Sequence, residues 1–174
     1  QRLSYKPPES FKAALATAFN VLLLARTEVN ETQTFDYFNV FLAPYAKGLE
    51  PARIKENLRL FIMNVNQHAN AGLVLDLAVP KFLADKPAIG PQGKTVGTYH
   101  DFVEESSLLA SLMIEIYIEE SSPKPVLNPQ LIVKVNSEAL KDEKTQATLL
   151  KAHILALEKG AVYFASMLQK IDKN

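Results

Sequence analysis

The sequence has 174 residues, the size of one compact domain or of a large piece of a bigger one. Lysine and arginine together number 19, as do aspartate and glutamate, so the net charge is zero and a basic nucleic-acid-binding face is not expected. The chain contains no cysteine, which excludes disulfides, thiolate zinc sites and a cysteine nucleophile within these residues.

The hydropathy pattern gives no sign of a membrane-bound protein. Every apolar stretch is far shorter than the ~20 residues that span a bilayer, and the first residues do not follow the pattern of a secretory signal. We therefore expect a cytoplasmic protein without a membrane partner. Zero net charge removes the repulsion between copies and so favours an oligomer. The sequence begins at Gln1, which is compatible with an excised or processed piece.

The first part of the chain predicts three helices. Apolar residues recur at three- and four-residue steps over residues 11–25, which places them on one helix face. After a polar loop, Thr34 is expected to cap a short helix that ends near Ala46. Gly48 separates this helix from the third, which Pro51 opens.

The middle of the chain predicts a strand followed by an excursion. Residues 73–79 have the aliphatic content of a buried strand, and alternation along the strand places Asp76 on its outward side. Residues 80–97 are rich in proline and glycine and predict an irregular surface segment. Within it, the glycines and lysine of residues 90–94 suggest a phosphate loop, but no helix begins there, so we expect an exposed turn.

The last part of the chain predicts two helices, each with a recognisable cap. Thr98 and Asp101 fit a capping box for a helix that runs to about Glu120. Asp142 is expected to cap a second helix, and Gly160 to supply the left-handed residue at its end.

Two further strands are predicted, at residues 131–135 and 161–167. Strands separated by long helices favour parallel crossover units, so the expected fold class is α/β and helix-rich. Three strands are too few to close a sheet. The fold is therefore either a helical domain with a small sheet or an incomplete portion of a larger barrel.

Several polar residues are candidates for chemistry, although each has a simpler explanation. Glu115 and Glu119 cluster with other acids on one helix, where a solvated face is expected. His100 is interpreted as a surface or capping-region residue, and His153 as a residue on a buried helix face that bonds to a main-chain carbonyl. Neither histidine has a serine or aspartate partner by spacing, so a hydrolytic triad is only a formal alternative.

One group of polar residues suggests a ligand site. Asn20 interrupts the first apolar helix and could face a partner or ligand, while Gln33, Thr34, Asp36 and Asn39 crowd the start of the second helix. A helix N-terminus offers unpaired N–H groups and positive dipole charge, which suit a nucleotide phosphate. Ordinary helix capping explains the same residues, and the sequence alone favours it.

Five segments in collinear order resemble successive segments of anaerobic, class III ribonucleoside-triphosphate reductases. They are PPESFKAALATAF (7–19), ETQTFDYFNVFLAPYAKGL (31–49), LDLAVPKFLADKPAI (75–89), TYHDFVEE (98–105) and KAHILALEKGAVYFAS (151–166). The most specific of these are FDYFNVFLAPY and the series LDLAVP, DKPAI and TYHDFVEE. The resemblance covers most of the chain.

The resemblance implies a fold and a location within it. The family has a ten-stranded α/β barrel shared with pyruvate formate-lyase, so this chain is expected to form a partial barrel. As a single domain over residues 1–174, it would be the central region, whose helices form the dimer contact and hold a nucleotide effector. The family's glycyl radical, zinc site and active-site cysteines would lie outside this chain. No cofactor and no independent catalysis are therefore expected in it.

The resemblance also implies effector contacts and partners. The family's Gln-containing turn matches residues 31–34, which makes Gln33 and Thr34 the best candidates for effector binding, although this chain lacks the glycines of that turn. Asn20, Asp36 and Asn39 complete the candidate set. The implied partners are a second copy or a larger reductase chain that this one complements, together with a nucleotide effector.

Two other functions remain open. The first is a structural or interaction protein that kept the reductase-like fold and has no ligand site. The second is the small hydrolase that uses His100 or His153.

Overall fold

A computed structural model of the protein describes residues 6–28, 32–135 and 140–166. Along these residues the elements are α1 (Phe11–Glu28), β1 (Gln33–Phe35), α2 (Phe38–Ala46), α3 (Pro51–His68), β2 (Ala71–Asp76), α4 (Lys81–Ala84), β3 (Pro87–Ile89), β4 (Thr95–Thr98), α5 (Val103–Glu120), β5 (Gln130–Val135), α6 (Glu143–Lys159) and β6 (Val162–Ser166). Two single 3-10 turns, Pro91–Gly93 and Tyr99–Phe102, complete the set of described elements. None of the described helices has both the length and the apolar content needed to cross a bilayer.

Four strands form a parallel sheet in the order β1-β2-β5-β6. In this register Leu73 pairs with Leu131, and Leu131 pairs with Val162. The predicted parallel sheet is confirmed, and β1 is an additional short strand at its edge. Strand β2 lies between β1 and β5, and its six residues are all buried.

The hydrophobic core lies between the helices and one face of this sheet. Leu73, Leu75, Leu131 and Val133 belong to the core, whereas the intervening residues of these strands do not. On the helical side, α2 packs on β2 and α6 packs on β6, while α5 contacts α2, α3 and α6. The sheet therefore has a core-facing side and a second side, and residues alternate between them along each strand.

The capping motifs predicted in the C-terminal half are present, although Thr98 and Asp101 cap the 3-10 turn Tyr99–Phe102 that leads into α5 and not α5 itself. Thr98 and Asp101 form the capping box, with the main-chain N–H of Thr98 donating to Oδ2 of Asp101 over 2.8 Å. The Asp142 carboxylate accepts from the main-chain N–H of Thr145, also over 2.8 Å. Gly160 ends α6 in the left-handed conformation with φ of 63°. These caps satisfy orphan N–H and C=O groups that a helix end otherwise leaves exposed.

The prediction that Thr34 caps the second helix is wrong. Thr34 lies in β1 and pairs with Gly72, and α2 begins at Phe38 after Tyr37, which has a left-handed φ of 56° and no side-chain cap. A strand of three residues has too few positions for a period-two pattern to show. Such a strand is specified by its neighbour in the sheet rather than by its own sequence.

The segment at residues 80–97 is more regular than predicted. After the short helix α4, β3 and β4 pair as an antiparallel hairpin whose turn contains the GPQGK string. The string is thus a turn, as expected, and not a phosphate loop that opens a helix. Gln92 and Gly93 in this turn both have positive φ.

The sequence suggested that the acidic residues of α5 form a purely solvated face, but in the structure they do not. Glu115 accepts from Lys151 of α6 over 2.8 Å and from Lys55 of α3 over 3.2 Å, and Glu119 accepts from Lys55 over 2.7 Å. The hydrogen bonds from Lys151 and Lys55 lower the pKa of Glu115. These ion pairs connect α3, α5 and α6 across their outer surfaces.

Candidate functional site

The carboxyl ends of β1, β2 and β5 bring charged residues together at one edge of the sheet. Parallel strands end at a common edge, where ligands of open α/β sheets bind. Lys134 on β5 is the register partner of Asp76 on β2. Its Nζ lies 3.2 Å from Oδ1 of Asp36 and 4.5 Å from the ring centroid of Tyr37. We call Asp36, Tyr37, Asn39, Asp76 and Lys134 the strand-end cluster.

Asn39 is the buried centre of the strand-end cluster. Its Nδ2 donates to the main-chain oxygen of Asp76 over 2.8 Å, and its Oδ1 accepts from the main-chain N–H of Asp76 over 2.9 Å. Nδ2 also lies 2.9 Å from Oγ and 3.1 Å from the main-chain oxygen of Ser106 on α5. Strand β1 ends before it could pair with Asp76. The side-chain amide of Asn39 therefore makes the main-chain hydrogen bonds with Asp76 that a longer β1 would make.

The side chain of Asp76 is buried. It lies on the side of the sheet away from the core, as alternation predicts, but the residue is only 4% exposed. Its Oδ2 has no hydrogen-bond partner within the described structure. Burial raises the pKa of Asp76 to about 6, partly offset by the attraction of Lys134 and reinforced by the repulsion of Asp36.

Gln33 and Thr34 are carried by β1, next to the strand-end cluster. Thr34 is exposed and Gln33 half-buried. A Cβ on Gly72 would lie 3.0 Å from Oγ1 of Thr34, so a larger residue at this position would crowd the Thr34 side chain. Asp36, at the end of the same strand, is 60% exposed. Glu31, the first residue of the Gln-containing turn, lies outside the described residues.

The structure brings together only part of the predicted set. Asp36 and Asn39 meet around Asp76, and Gln33 and Thr34 adjoin them along the chain. Asn20 is exposed on α1, and no hydrogen bond in the described residues links it to the cluster. Lys134, Tyr37 and Ser106 were missed in the sequence, because the chemistry of each depends on neighbours distant along the chain.

The two candidate histidines, His100 and His153, lie at the surface. His100 is exposed, as expected. His153 is exposed as well, which contradicts the prediction of a buried position, although its Nδ1 does lie 2.9 Å from the main-chain oxygen of Leu149. Its ring stacks on Phe164 with centroids 4.3 Å apart. Among the described residues neither imidazole bonds to a serine or a carboxylate, and no group of three or more metal-ligating side chains forms.

A groove of about 580 Å³ runs between α5 and α6 and begins at Leu77, directly after Asp76. Its lining contains the hydroxyls of Ser107 and Ser111 as well as charges of both signs, among them Glu104 and Lys144. The volume is within the range of small-molecule sites. The mixed charge of the lining does not select one class of ligand.

Comparison with known proteins decides the family. The family model of the anaerobic ribonucleoside-triphosphate reductase matches residues 2–174. The chain belongs to this family. No curated protein sequence matches the chain.

Solved structures of the same family confirm the fold. An anaerobic ribonucleotide reductase from Thermotoga maritima, with dATP bound in its specificity site, matches with a TM-score of 0.76 and 12% identity over 99% of this chain. The same reductase in complex with dATP and CTP matches with a TM-score of 0.75 and 12% identity, also over 99% of this chain. The present chain spans 31% and 30% of those chains, respectively. The predicted helix-rich α/β fold, as part of a reductase-like fold, is thereby confirmed.

Replacing Asn39 by leucine should strongly destabilise the protein. The substitution leaves the N–H and C=O of Asp76 and the groups of Ser106 buried without their partner, which costs about 3 kcal/mol in unfolding free energy. Urea denaturation followed by circular dichroism measures this difference. The control is Asn66→Ala, at an exposed position, with an expected change within about 0.5 kcal/mol. Equal stability of the two variants would show that the Asn39 bonds contribute little.

Asp76 should make folding stability fall as the pH rises from about 4 to 6. In the folded protein its pKa is about 6, against an ordinary value of 3.8, so in this window the folded state holds more protons than the unfolded state. Above this window the wild type has lost roughly 3 kcal/mol through this group. The Asp76→Asn variant should therefore gain stability relative to the wild type across the window in denaturation curves recorded at several pH values. Parallel curves for wild type and Asp76→Asn would refute the assignment.

Proposed function

We propose that the chain supplies the dimer-contact and effector-binding portion of an anaerobic ribonucleotide reductase and does not catalyse alone. The match of the family model to residues 2–174 carries this proposal. The sequence has no cysteine. A reaction that is relayed through a thiyl radical therefore needs a cysteine that lies outside residues 1–174. In this proposal residues 1–174 act as a single domain, and the glycyl radical and zinc site belong to other parts of the reductase.

The proposed effector is a deoxynucleotide at the end of β1. A reductase of the same fold has been solved with dATP in its specificity site, which supports the ligand class. Thr34 and Asp36 are exposed at this edge of the sheet and can reach a ligand, and Gln33 precedes them on β1. Asn39 contributes indirectly, because both atoms of its amide bond to protein groups.

The proposed dimer contact is the outer surface of α1 and α3. Helix α1 has no charged residue between Lys12 and Arg26, which is unusual for a helix at the surface. Ala16 and Asn20 are exposed on it, and Ala16 and Leu60 of α3 line a shallow groove of about 190 Å³. Small side chains permit close approach of a second helix, and the zero net charge of the chain does not oppose pairing of like copies.

A second proposed partner is a larger reductase chain. Strand β6 is an edge of the sheet in the described structure, and Leu157 on the neighbouring helix α6 is 87% exposed. An unpaired strand edge next to exposed apolar side chains is suited to pairing with another segment. The matched reductase chains are about three times as long as this one, which supports a partner at this edge.

The purified chain should bind dATP, and the variant Gln33→Ala/Thr34→Ala should bind it about tenfold more weakly. The loss of one or two hydrogen bonds to the ligand corresponds to this factor. Isothermal titration calorimetry with dATP, dGTP and dTTP measures the affinity, and Thr95→Ala in the distant hairpin is the matched control. Absence of binding at millimolar nucleotide would reject the effector site.

The chain should be a dimer in solution, and Leu60→Glu should convert it to a monomer. A carboxylate at this position would have to be buried without a partner in the contact. Light scattering or analytical ultracentrifugation gives the mass, with Leu157→Glu on α6 as the control that leaves the dimer intact. Loss of the dimer in the control alone would place the contact on α6 instead.

The alternative is a structural or interaction protein that has kept the reductase-like fold without a ligand site. It is favoured by the absence of the family's turn glycines at residues 31–34. In that case the chain forms its dimer, but its thermal stability does not respond to any deoxynucleotide. The calorimetric and ultracentrifugation results together distinguish the two functions.

A further inference from the structure

We propose that Lys134 is a positioning residue that exchanges between Asp36 and Asp76, so that a ligand group that engages Asp36 is sensed at β2. This inference rests on the proposed effector site at the end of β1. It adds to that function a route by which binding reaches the interior of the protein. The observations that carry it are the position of one cation between two carboxylates and the unequal exposure of those carboxylates.

Lys134 is within reach of both acids. Its Nζ is 3.2 Å from Oδ1 of Asp36, and its strand position is directly opposite Asp76 in the parallel register. Residues paired in this way lie on the same side of the sheet. Oδ2 of Asp76 has no hydrogen-bond partner in the described structure, whereas Asp36 has the lysine. A flexible four-carbon side chain can change between such positions by rotamer changes alone.

The two pairings differ in strength because the two carboxylates differ in exposure. Asp36 is 60% exposed, and water screens an ion pair at such a position. Asp76 is almost fully buried, where the same pair of charges attracts more strongly. The charged groups that act on Asp76 are Lys134 from β5 and Asp36 after β1. Contact with the ring of Tyr37 favours the present position of Lys134. The pairing with Asp36 is thus the one that a competing ligand can most readily displace.

A ligand of suitable chemistry offers Asp36 a hydrogen-bond donor or a cation. The amino group of a nucleobase and the Mg²⁺ that accompanies a nucleotide triphosphate both meet this requirement. Once Asp36 is engaged, Lys134 loses its partner and turns to Asp76. The main chain of Asp76 is bonded to Asn39, and Asn39 is bonded to Ser106 of α5. The movement of Lys134 towards Asp76 is therefore transmitted to α2 and α5 through these existing hydrogen bonds.

The position of Lys134 can be measured without any nucleotide. Protons near its Nζ should show an upfield ring-current shift in NMR spectra, because the amine lies over Tyr37. The variant Asp36→Asn imitates engagement of Asp36 and should abolish this shift. It should also lower the pKa of Asp76, followed by carboxyl ¹³C shifts, by about one pH unit or more. Retention of the ring-current shift in Asp36→Asn would overturn the exchange.

Variants at Lys134 separate exchange from simple repulsion between the two acids. Removal of the Asp36 charge lowers the pKa of Asp76 slightly even without exchange. In a Lys134→Met background, Asp36→Asn should therefore lower that pKa by less than half as much as in the wild type. Lys134→Arg should restore the larger effect. An equal effect in the wild type and in the Lys134→Met background would refute the role of Lys134.

Addition of dATP with Mg²⁺ to the wild type distinguishes this inference from the proposed function. Loss of the ring-current shift both in Asp36→Asn and on nucleotide binding supports the complete route. Loss in Asp36→Asn, without any response to or binding of the nucleotide, retains the exchange and rejects the effector site. Nucleotide binding that leaves Lys134 over Tyr37 rejects the exchange as a sensor while the effector site stands.

Discussion

The side-chain amide of Asn39 is the constraint on which the geometry of the site depends. Its Nδ2 and Oδ1 lie within hydrogen-bonding distance of four polar groups, two on the main chain of Asp76 and two on Ser106. Strand β1 ends after three residues, so β2 would otherwise have unsatisfied polar groups in the interior at Asp76. Because one amide satisfies them, Asp76 is fixed in a buried position and the start of α2 is joined to α5. The placement of Asp36 and Tyr37 beside Lys134 follows from this join.

Most of the fold could be predicted from the sequence because its signals are local. The apolar periodicity of the longer helices, the capping residues Asp101 and Asp142 and the left-handed Gly160 act within a few positions of themselves. The strand β1 and the hairpin at residues 80–97 could not be predicted. These strands have only three or four residues, and they are specified by pairing with a neighbouring strand and not by an apolar pattern of their own.

The strand-end cluster was predictable only in part. The sequence indicates Asp36 and Asn39 as polar residues near a helix start, but it indicates neither the burial of Asp76 nor the position of Lys134 beside Asp36. One signal was nevertheless present, because LVLD at residues 73–76 and LIVK at residues 131–134 have opposite charges at the same position. Since the structure pairs these two segments in that register, the complementary charges mark neighbouring strands. The sequence does not indicate how exposed each carboxylate is, because the exposure depends on residues from distant parts of the chain that cover the edge of the sheet.

A fold and a ligand site differ in how well they survive changes of sequence. A fold persists at 12% identity because a core tolerates many substitutions that keep its volume and pattern, as in the sheet and helices shared with the Thermotoga maritima reductase. A ligand site depends on a few side chains at defined positions, so similarity of the backbone does not carry it over. In this chain residues 31–34 contain no glycine, and a Lys–Asp pair occupies the edge of the sheet. Whether a nucleotide binds there is therefore decided by the energetics of Asp36, Lys134 and Asp76 and not by the fold.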